Sequence, residues 1–109
     1  AILDRAPVTE GHVLIISKNH RATQEALKSS ERFHLPFFRA EVLKFIRSKW
    51  HVDGFNTFVN SGVAAGQTVM HFHEHVVPRR RGDVENPRGG ARNFMTPLVP
   101  LWPSDNGPK

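Results

Sequence analysis

The chain has 109 residues, a formal net charge of +5 and 39% hydrophobic residues, which is enough apolar material for one folded core. It contains no cysteine, which excludes a disulfide framework and a thiolate metal site. No apolar run approaches the roughly 20 residues that span a bilayer, and no signal peptide is recognisable at the start, so we expect a cytoplasmic protein with no membrane partner and a single domain over residues 1–109.

The first predicted elements form a β-hairpin. Residues 12–17 are a short run dominated by aliphatic and β-branched side chains, which is typical of a buried strand. Ile2 and Leu3 precede a turn and are expected to pair with this strand in the antiparallel direction. Such a hairpin would bring Asp4 close to the start of the second strand.

Helices are predicted after the hairpin. A short one is expected over residues 22–27. A longer one begins near Pro36 and extends to Trp50, because apolar residues recur there at steps of three and four with charged residues between them. The apolar side of this helix is expected to pack on a sheet.

The second half of the chain predicts two further strands and an irregular arm. Residues 54–60 and 69–77 are the strands, and the small-residue segment 61–67 is a loop between them. Repeated proline and glycine over residues 80–109 predict an arm without regular secondary structure. The order of elements predicts an α+β fold, with an antiparallel β-sheet and helices packed on one face.

Three histidines alternate along the last predicted strand. The two-residue period of a strand directs the imidazoles of His71, His73 and His75 to the same face. They could hold a metal such as zinc, although residues in line on one strand converge on an ion less readily than ligands from several elements. Alternatively, one imidazole is a nucleophile and its neighbours orient it and bind phosphate, which suits a side chain that titrates near neutral pH.

The loop before these histidines favours phosphate chemistry. Asn60, Gln67 and Thr68 supply amide and hydroxyl groups, and Gly66 permits an anion to approach the backbone closely. Next to three histidines on one face, these donors predict a cradle for a phosphate oxyanion.

Two separated segments resemble the histidine triad (HIT) family of nucleotide hydrolases and transferases. Residues 66–79 are similar to the family pattern His-x-His-x-His-x-x with its Gly-Gln-Ser/Thr prefix, and residues 6–18 resemble the family's first hairpin. Residues 82–92 resemble a tail of the microbial branch related to the diadenosine polyphosphate hydrolases. The resemblance covers residues from about 3 to 79.

The resemblance implies a role for each site residue. His73 would attack the α-phosphorus and form a covalent nucleotidyl-histidine that water resolves. His75 would contact the phosphate and assist the leaving group, His71 would stabilise the triad, and His12 would lie beside it. Asp4 would bond the ribose hydroxyls. No metal or cofactor would be required. The remaining predicted substrate-binding residues are Asn60, Gly66, Gln67 and Thr68.

Two features go beyond the family pattern. Glu74 stands where the family has an apolar residue, and alternation directs it away from the histidines, so we expect an ion pair, an edge position or a subunit contact. The basic stretch after the triad is either a solvated loop, the commoner case, or a contact for the distal phosphates of a polyphosphate. Its members are Arg79, Arg80, Arg81, Arg88 and Arg92.

The sequence therefore predicts an enzyme that hydrolyses or transfers nucleotides at the α-phosphate of dinucleoside polyphosphates or related conjugates. The resemblance adds a homodimer as the expected assembly. Nucleic acid is a less favoured partner, because the basic stretch lacks evenly interleaved aromatic residues. The alternatives are a nucleoside phosphoramidate hydrolase, a protein whose three histidines bind zinc or copper without nucleotide turnover, and a regulatory module that only binds nucleotides.

Overall fold

A four-stranded antiparallel sheet and one long helix form the fold. The structure, a computed structural model, describes residues 1–90. The strands are β1 (Ile2–Leu3), β2 (Val13–Ile16), β3 (Gly54–Val59) and β4 (His73–Arg79), and the helix α1 is Ser29–Lys49. The strand order is β1-β2-β4-β3, and every neighbouring pair is antiparallel. The predicted α+β fold with an antiparallel sheet is confirmed.

The core lies between one face of the sheet and α1. Val13 and Ile15 of β2 and Val76 of β4 point to the same face, and they pack with Val42 and Ile46 of the helix. All five are buried. Because strand side chains alternate between faces, the residues between these core positions project from the opposite face, away from the helix. That opposite face of β4 carries two of the three histidines.

Helix α1 begins seven residues earlier than predicted, at Ser29 instead of near Pro36. The prediction placed Pro36 at the first helical position, where proline is favoured, but here proline lies inside the helix. The first turn is held by Glu31, whose carboxylate accepts the Lys28 backbone N–H at 2.7 Å and the Arg21 Nε–H at 2.9 Å. These contacts satisfy a free amide of the first turn, and the helix continues through the proline.

Two other predicted boundaries are also wrong. Strand β4 begins at His73 and not at residue 69, because residues 69–72 form a bend whose backbone bonds neighbouring loops. The short helix predicted over 22–27 is a three-residue 3-10 turn, Gln24–Ala26. In the described part of the chain, therefore, a single α-helix covers the sheet. The two other predicted strands agree with β2 and β3 to within one residue at each end.

Residues 80–90 contain turns and bends and no strand. The rest of the predicted arm lies outside the described residues, so the single domain over 1–109 and the irregular arm over 80–109 stay predictions. Among residues 1–90 no helix combines the length and the apolar character needed to cross a membrane.

A buried ion pair joins α1 to the strand of the histidines. Glu74 is 4% exposed, and the register places it opposite Ile15 and Val59. Its two carboxylate oxygens accept hydrogen bonds from Arg39 Nε at 2.6 Å and Arg39 Nη2 at 2.8 Å. Of the three placements expected for Glu74, the structure therefore has the ion pair.

Removing Arg39 alone should destabilise the fold more than removing both charges. In Arg39→Met the Glu74 carboxylate stays buried without its partner, and we expect the free energy of unfolding to fall by about 2–4 kcal/mol. The double variant Arg39→Leu/Glu74→Leu replaces the pair by apolar side chains and should recover most of this loss. Urea unfolding of the three proteins measures the difference. A double variant no more stable than the single one would contradict this account.

Candidate active site

The chemistry-bearing residues lie on the open face of the sheet, where β4 begins. His73 Nδ1 lies 2.8 Å from the backbone oxygen of His71. A carbonyl oxygen can only accept a hydrogen bond, so Nδ1 of the neutral ring carries the proton. The other ring nitrogen, Nε2, then has an unshared lone pair. The backbone of the bend before β4 thus selects the tautomer of neutral His73 in which Nε2 carries no proton.

A second backbone group fixes the tautomers of the neighbouring histidines. The Val8 N–H donates to His12 Nδ1 at 3.2 Å, so neutral His12 carries its proton on Nε2. That Nε2 lies 3.0 Å from His75 Nδ1, which must accept the hydrogen bond. Neutral His75 therefore carries its proton on Nε2. In this arrangement His73 has a free lone pair and His75 has a free N–H donor.

Strand pairing holds the His75 ring in place. Its ring stacks on Phe58 of β3, with centroids 4.6 Å apart and planes 17° apart, because the register sets these two residues opposite each other. The centroids of the His73 and His75 rings are 5.2 Å apart in an edge-to-face arrangement. A phosphate group could therefore contact both rings. The sequence analysis missed Phe58, since only the strand register identifies it.

Asp4 lies beside the two linked imidazoles, as the predicted hairpin requires. One of its carboxylate oxygens, Oδ2, is 3.3 Å from His12 Nε2 and 3.9 Å from His75 Nδ1. The other, Oδ1, accepts the Ala6 N–H at 3.0 Å. The Asp4 N–H in turn donates to the His12 carbonyl at 3.0 Å. The hairpin thus brings Asp4, His12 and His75 together.

Burial keeps these imidazoles in their neutral form. Burial lowers the pKa of His12, and the Asp4 carboxylate opposes that change. Burial also lowers the pKa of His75, the charges of His12 and His73 act in the same direction, and Asp4 opposes them. Both shifts favour neutral rings near pH 7, which is the condition under which these tautomers hold.

His71 is not part of β4, contrary to the prediction that one strand carries all three histidines. It precedes β4, and its Nε2 bonds the Ser17 backbone oxygen at 2.8 Å and lies 3.2 Å from the Ser17 hydroxyl. Its ring meets that of His20 edge to face, with centroids 5.5 Å apart. His71 therefore contacts His73 through its carbonyl group and not through its imidazole. The sequence did not predict that Ser17 and His20 lie beside the site.

A buried side chain of the predicted phosphate loop holds the loop in place through hydrogen bonds. Gln67 is buried; its Nε2 donates to the carbonyls of Ala22 at 2.6 Å and Val69 at 2.9 Å, and its Oε1 accepts the Gly62 N–H at 2.8 Å. Both N–H groups of this amide are thus engaged. The predicted contact of Gln67 with a phosphate would require one of these bonds to break.

The other predicted loop residues are of two kinds. Some shape the turn, and others are accessible to a ligand. Gly66 has a left-handed backbone with φ of +94°, which closes a 3-10 turn and would strain any other residue. A Cβ at Gly66 would lie 4.0 Å from Asn60 Nδ2, so these two residues are neighbours. Thr68 is exposed. Their predicted roles in binding substrate stay predictions.

Two arginines of the basic stretch, Arg79 and Arg80, bond groups away from the histidines of the site. Arg79 donates to Asp83 at 2.7 and 2.8 Å and to Asn56 at 2.6 Å. Arg80 donates to two backbone carbonyls in neighbouring turns, each at 2.8 Å. Arg79 lies six positions along β4 from His73, a distance of about 20 Å. Arg79 and Arg80 therefore stabilise turns at the far end of the sheet. Arg92 lies outside the described residues.

The alternative prediction, a metal site made of the three alternating histidines, does not match the geometry of their side chains. His71 Nε2 and His73 Nδ1 are engaged with backbone oxygens of different segments. Within residues 1–90, the group of side chains whose ligand atoms lie within 4.8 Å of one another is instead Asp4, His12 and His75.

Comparison with known proteins connects this arrangement to one family. The profile of the HIT domain matches residues 1–82. A protein named adenylylsulfatase HINT3 from Arabidopsis thaliana is 37% identical over 86 residues, which are 75% of this chain and 42% of that protein. The bis(5'-adenosyl)-triphosphatase of Dictyostelium discoideum is 31% identical over 86 residues, or 79% of this chain and 58% of that protein.

A solved structure shows the same fold. The crystal structure of a HIT family protein from Bacillus anthracis superposes with a TM-score of 0.70 at 33% sequence identity, and the match covers 86% of this chain and 68% of that one. The chain spans about half the length of the Arabidopsis and Dictyostelium relatives.

Acid should destabilise the protein through His75. In the unfolded chain His75 titrates near 6.5 and in the folded protein its pKa is lower, so the unfolded state binds more protons as the pH falls below 6.5. The free energy of unfolding is therefore highest above pH 6.5. It decreases as the pH falls from 6.5 to the folded-state pKa of His75. Urea unfolding between pH 7.5 and 5 should show a steeper loss for the natural chain than for His75→Asn. Equal pH dependence in the two proteins would contradict the prediction.

Proposed function

The chain belongs to the HIT domain family, and from this premise we propose that it hydrolyses or transfers nucleotides at the α-phosphate of dinucleoside polyphosphates. The observation that carries the proposal is the 2.8 Å hydrogen bond from His73 Nδ1 to the His71 carbonyl oxygen. It leaves the His73 Nε2 lone pair unshared beside a histidine that can donate a hydrogen bond. A nucleophile and a donor next to each other are what phosphoryl or nucleotidyl transfer requires.

The proposed reaction has two displacement steps. His73 Nε2 forms a bond to the α-phosphorus while the bond from phosphorus to the leaving oxygen breaks, which gives a nucleotidyl-histidine. The His73 ring then bears a positive charge, and the His71 carbonyl stabilises the Nδ1 proton. Water next attacks the phosphorus, neutral His73 departs, and the proton of the water passes to solvent. His75 Nε2–H stabilises the charge on the phosphate oxygens.

The state of His75 favours leaving groups that depart as anions. Burial lowers the pKa of this histidine, so near pH 7 it donates a hydrogen bond but has no extra proton to give. A nucleoside polyphosphate leaves as an anion and needs no proton, whereas the amine of a phosphoramidate does. This ranks dinucleoside polyphosphates above phosphoramidates, which are the second candidate substrates.

The named relatives support the same substrate class. One carries the name of an enzyme for a bis(5'-adenosyl) triphosphate and the other the name of an adenylylsulfatase. Both names describe adenosine compounds with phosphate or sulfate groups. We therefore place an adenosine 5'-phosphoryl group at His73. Asp4, beside His12 and His75, would accept hydrogen bonds from the ribose hydroxyls, and Asn60, Gly66 and Thr68 would contact the phosphates.

Imidazole and amide donors suffice for this chemistry, so we propose that no metal or cofactor is required. A cytoplasmic location, where nucleotides are abundant, fits the lack of cysteine.

The proposal predicts that His73→Ala abolishes turnover and the covalent adduct together. Intact-protein mass spectrometry after a brief quench with diadenosine triphosphate should show an acid-labile nucleotidyl adduct on the natural chain and none on His73→Ala. Chromatography of the same samples should show release of a mononucleotide by the natural chain alone. The matched control is His51→Ala, since His51 is exposed and pairs with Asp53 away from the site.

The same assay ranks the substrates. Adenosine phosphoramidate in place of diadenosine triphosphate tests the second candidate, and faster turnover of the phosphoramidate at pH 7 would reverse the predicted order of preference. Turnover by His73→Ala at the rate of the natural chain would exclude His73 as the nucleophile.

We also propose that the chain forms a homodimer. Helix α1 exposes a group of phenylalanines, and Phe33 and Phe37 are 66% and 63% exposed. Exposed aromatic clusters of this kind mark association surfaces, and twofold self-association is the commonest way to cover one. The other two members of the group are Phe38 and Phe45.

Light scattering coupled to gel filtration tests this assembly. The natural chain should have the mass of two chains, and Phe37→Asp should shift it to one, because the charge would be buried in the interface. The control is Phe33→Leu, which keeps the surface apolar and should stay dimeric. A natural chain with the mass of a monomer at tens of micromolar would overturn the proposal.

A further inference from the structure

One large aromatic side chain of β3 lies on the open face of the sheet, away from the core. Val59 stands opposite Glu74, which bonds the helix, so its neighbour Phe58 projects from the other side. Phe58 is half-buried there. Within residues 1–90, the phenylalanine of β3 that packs against the buried core is Phe55 and not Phe58. Packing under the helix therefore does not explain an aromatic residue at position 58.

The ring of Phe58 covers one face of the His75 imidazole. The two centroids are 4.6 Å apart and the planes are 17° from parallel, which is a stacked arrangement of residues that stand opposite each other on paired strands. The side chain of His75 is 16% exposed, although it lies on the open face. The stack therefore limits tilting of the imidazole plane and shields one side of the ring from water.

The His75 ring is held by two contacts of different kinds. A hydrogen bond of 3.0 Å joins His12 Nε2 to His75 Nδ1. It selects one of the two ways in which the ring can be turned about its Cβ–Cγ bond, because the other would place a carbon atom at that position. A single hydrogen bond tolerates a range of angles, so the ring could still rock about it. Phe58 opposes that motion, and the two contacts together determine the direction of the Nε2–H bond.

We propose that Phe58 is a positioning residue, which acts through His75 by holding the plane of the imidazole so that Nε2–H points at the phosphate. The effect on rate rests on the proposed function, whereas the position of the ring does not. A donor stabilises developing charge most when its direction is fixed before the reaction begins. The His73 ring, with its centroid 5.2 Å from that of His75, marks the side on which the phosphate would bind.

Nuclear magnetic resonance of the imidazole protons tests the stack without any nucleotide. The ring current of Phe58 should shift the carbon-bound ring protons of His75 upfield in the natural chain. Phe58→Leu should lose this shift, and Phe58→Tyr, which keeps an aromatic ring, should retain it. The matched control is Phe55→Leu, because Phe55 lies on the helix side of the same strand, beside Arg47. Equal shifts in the natural chain and in Phe58→Leu would overturn the stack.

Hydrolysis of diadenosine triphosphate tests the effect on rate. We expect Phe58→Leu to lower kcat about tenfold, which is less than the roughly 10²–10³-fold loss caused by removing a whole donor, and to leave KM nearly unchanged. Phe58→Tyr should recover most of the rate, and Phe55→Leu should have the rate of the natural chain. A higher KM with an unchanged kcat would mean that Phe58 contacts the substrate directly, and would overturn the positioning role.

A double variant separates an effect through His75 from a general loss of structure. Phe58→Leu should lower kcat/KM in the natural chain but not in His75→Ala, because the group that Phe58 positions is then absent. An equal loss in both backgrounds, as an unstable leucine variant would give, would overturn the proposal. Shifted His75 protons without any hydrolysis by the natural chain would refute the proposed function alone. Hydrolysis that Phe58→Leu leaves unchanged would refute the positioning role alone.

Discussion

The antiparallel register between β2 and β4 determines where every reactive group of this protein lies. It sets Leu14 opposite His75 and Ile15 opposite Glu74, so His75 faces the open side while its neighbour Glu74 faces the helix. A slip of one residue would reverse these faces, and would bring the imidazole into the core. The same register starts β2 with Val13 opposite Val76, the residue after His75, which allows the residue before β2, His12, to contact His75 at 3.0 Å.

Two backbone groups determine which ring nitrogen carries the proton in His73 and in His12. The His71 carbonyl holds the proton of His73 on Nδ1, and the Val8 amide holds that of His12 on Nε2. A backbone carbonyl cannot donate and a backbone amide cannot accept, so the chain fold itself selects the tautomers. Burial then keeps His12 and His75 neutral. The reactivity of the site therefore depends on main-chain geometry as much as on the identity of the side chains.

Sequence patterns predicted the parts of the structure that depend on local periodicity. The aliphatic run of β2 and the apolar steps of α1 indicated the sheet and its covering helix, and the predicted hairpin correctly brought Asp4 close to His12. Sequence patterns did not predict the features that depend on contacts between residues far apart in the chain. The start of α1 depends on a hydrogen bond between Arg21 and Glu31. The departure of His71 from the strand depends on Ser17, which is 54 residues away. Residues 69–72 had the apolar content of a strand, but tertiary hydrogen bonds bent them.

Several arginines of this basic chain are paired within the fold, away from the histidines. Arg39 is paired with Glu74 on the helix side, and Arg79 and Arg80 are held at the far end of β4, so their charges are used by the fold. In the proposed reaction the phosphate would instead meet the Nε2 lone pair of His73 and the N–H donor of His75. In this proposed reaction, the His73 ring would gain a positive charge on bonding to phosphorus, beside the developing negative charge of the phosphate oxygens. Such an attraction is stronger in the transition state than in the bound substrate, which is the condition for an interaction to accelerate a reaction and not merely to tighten binding.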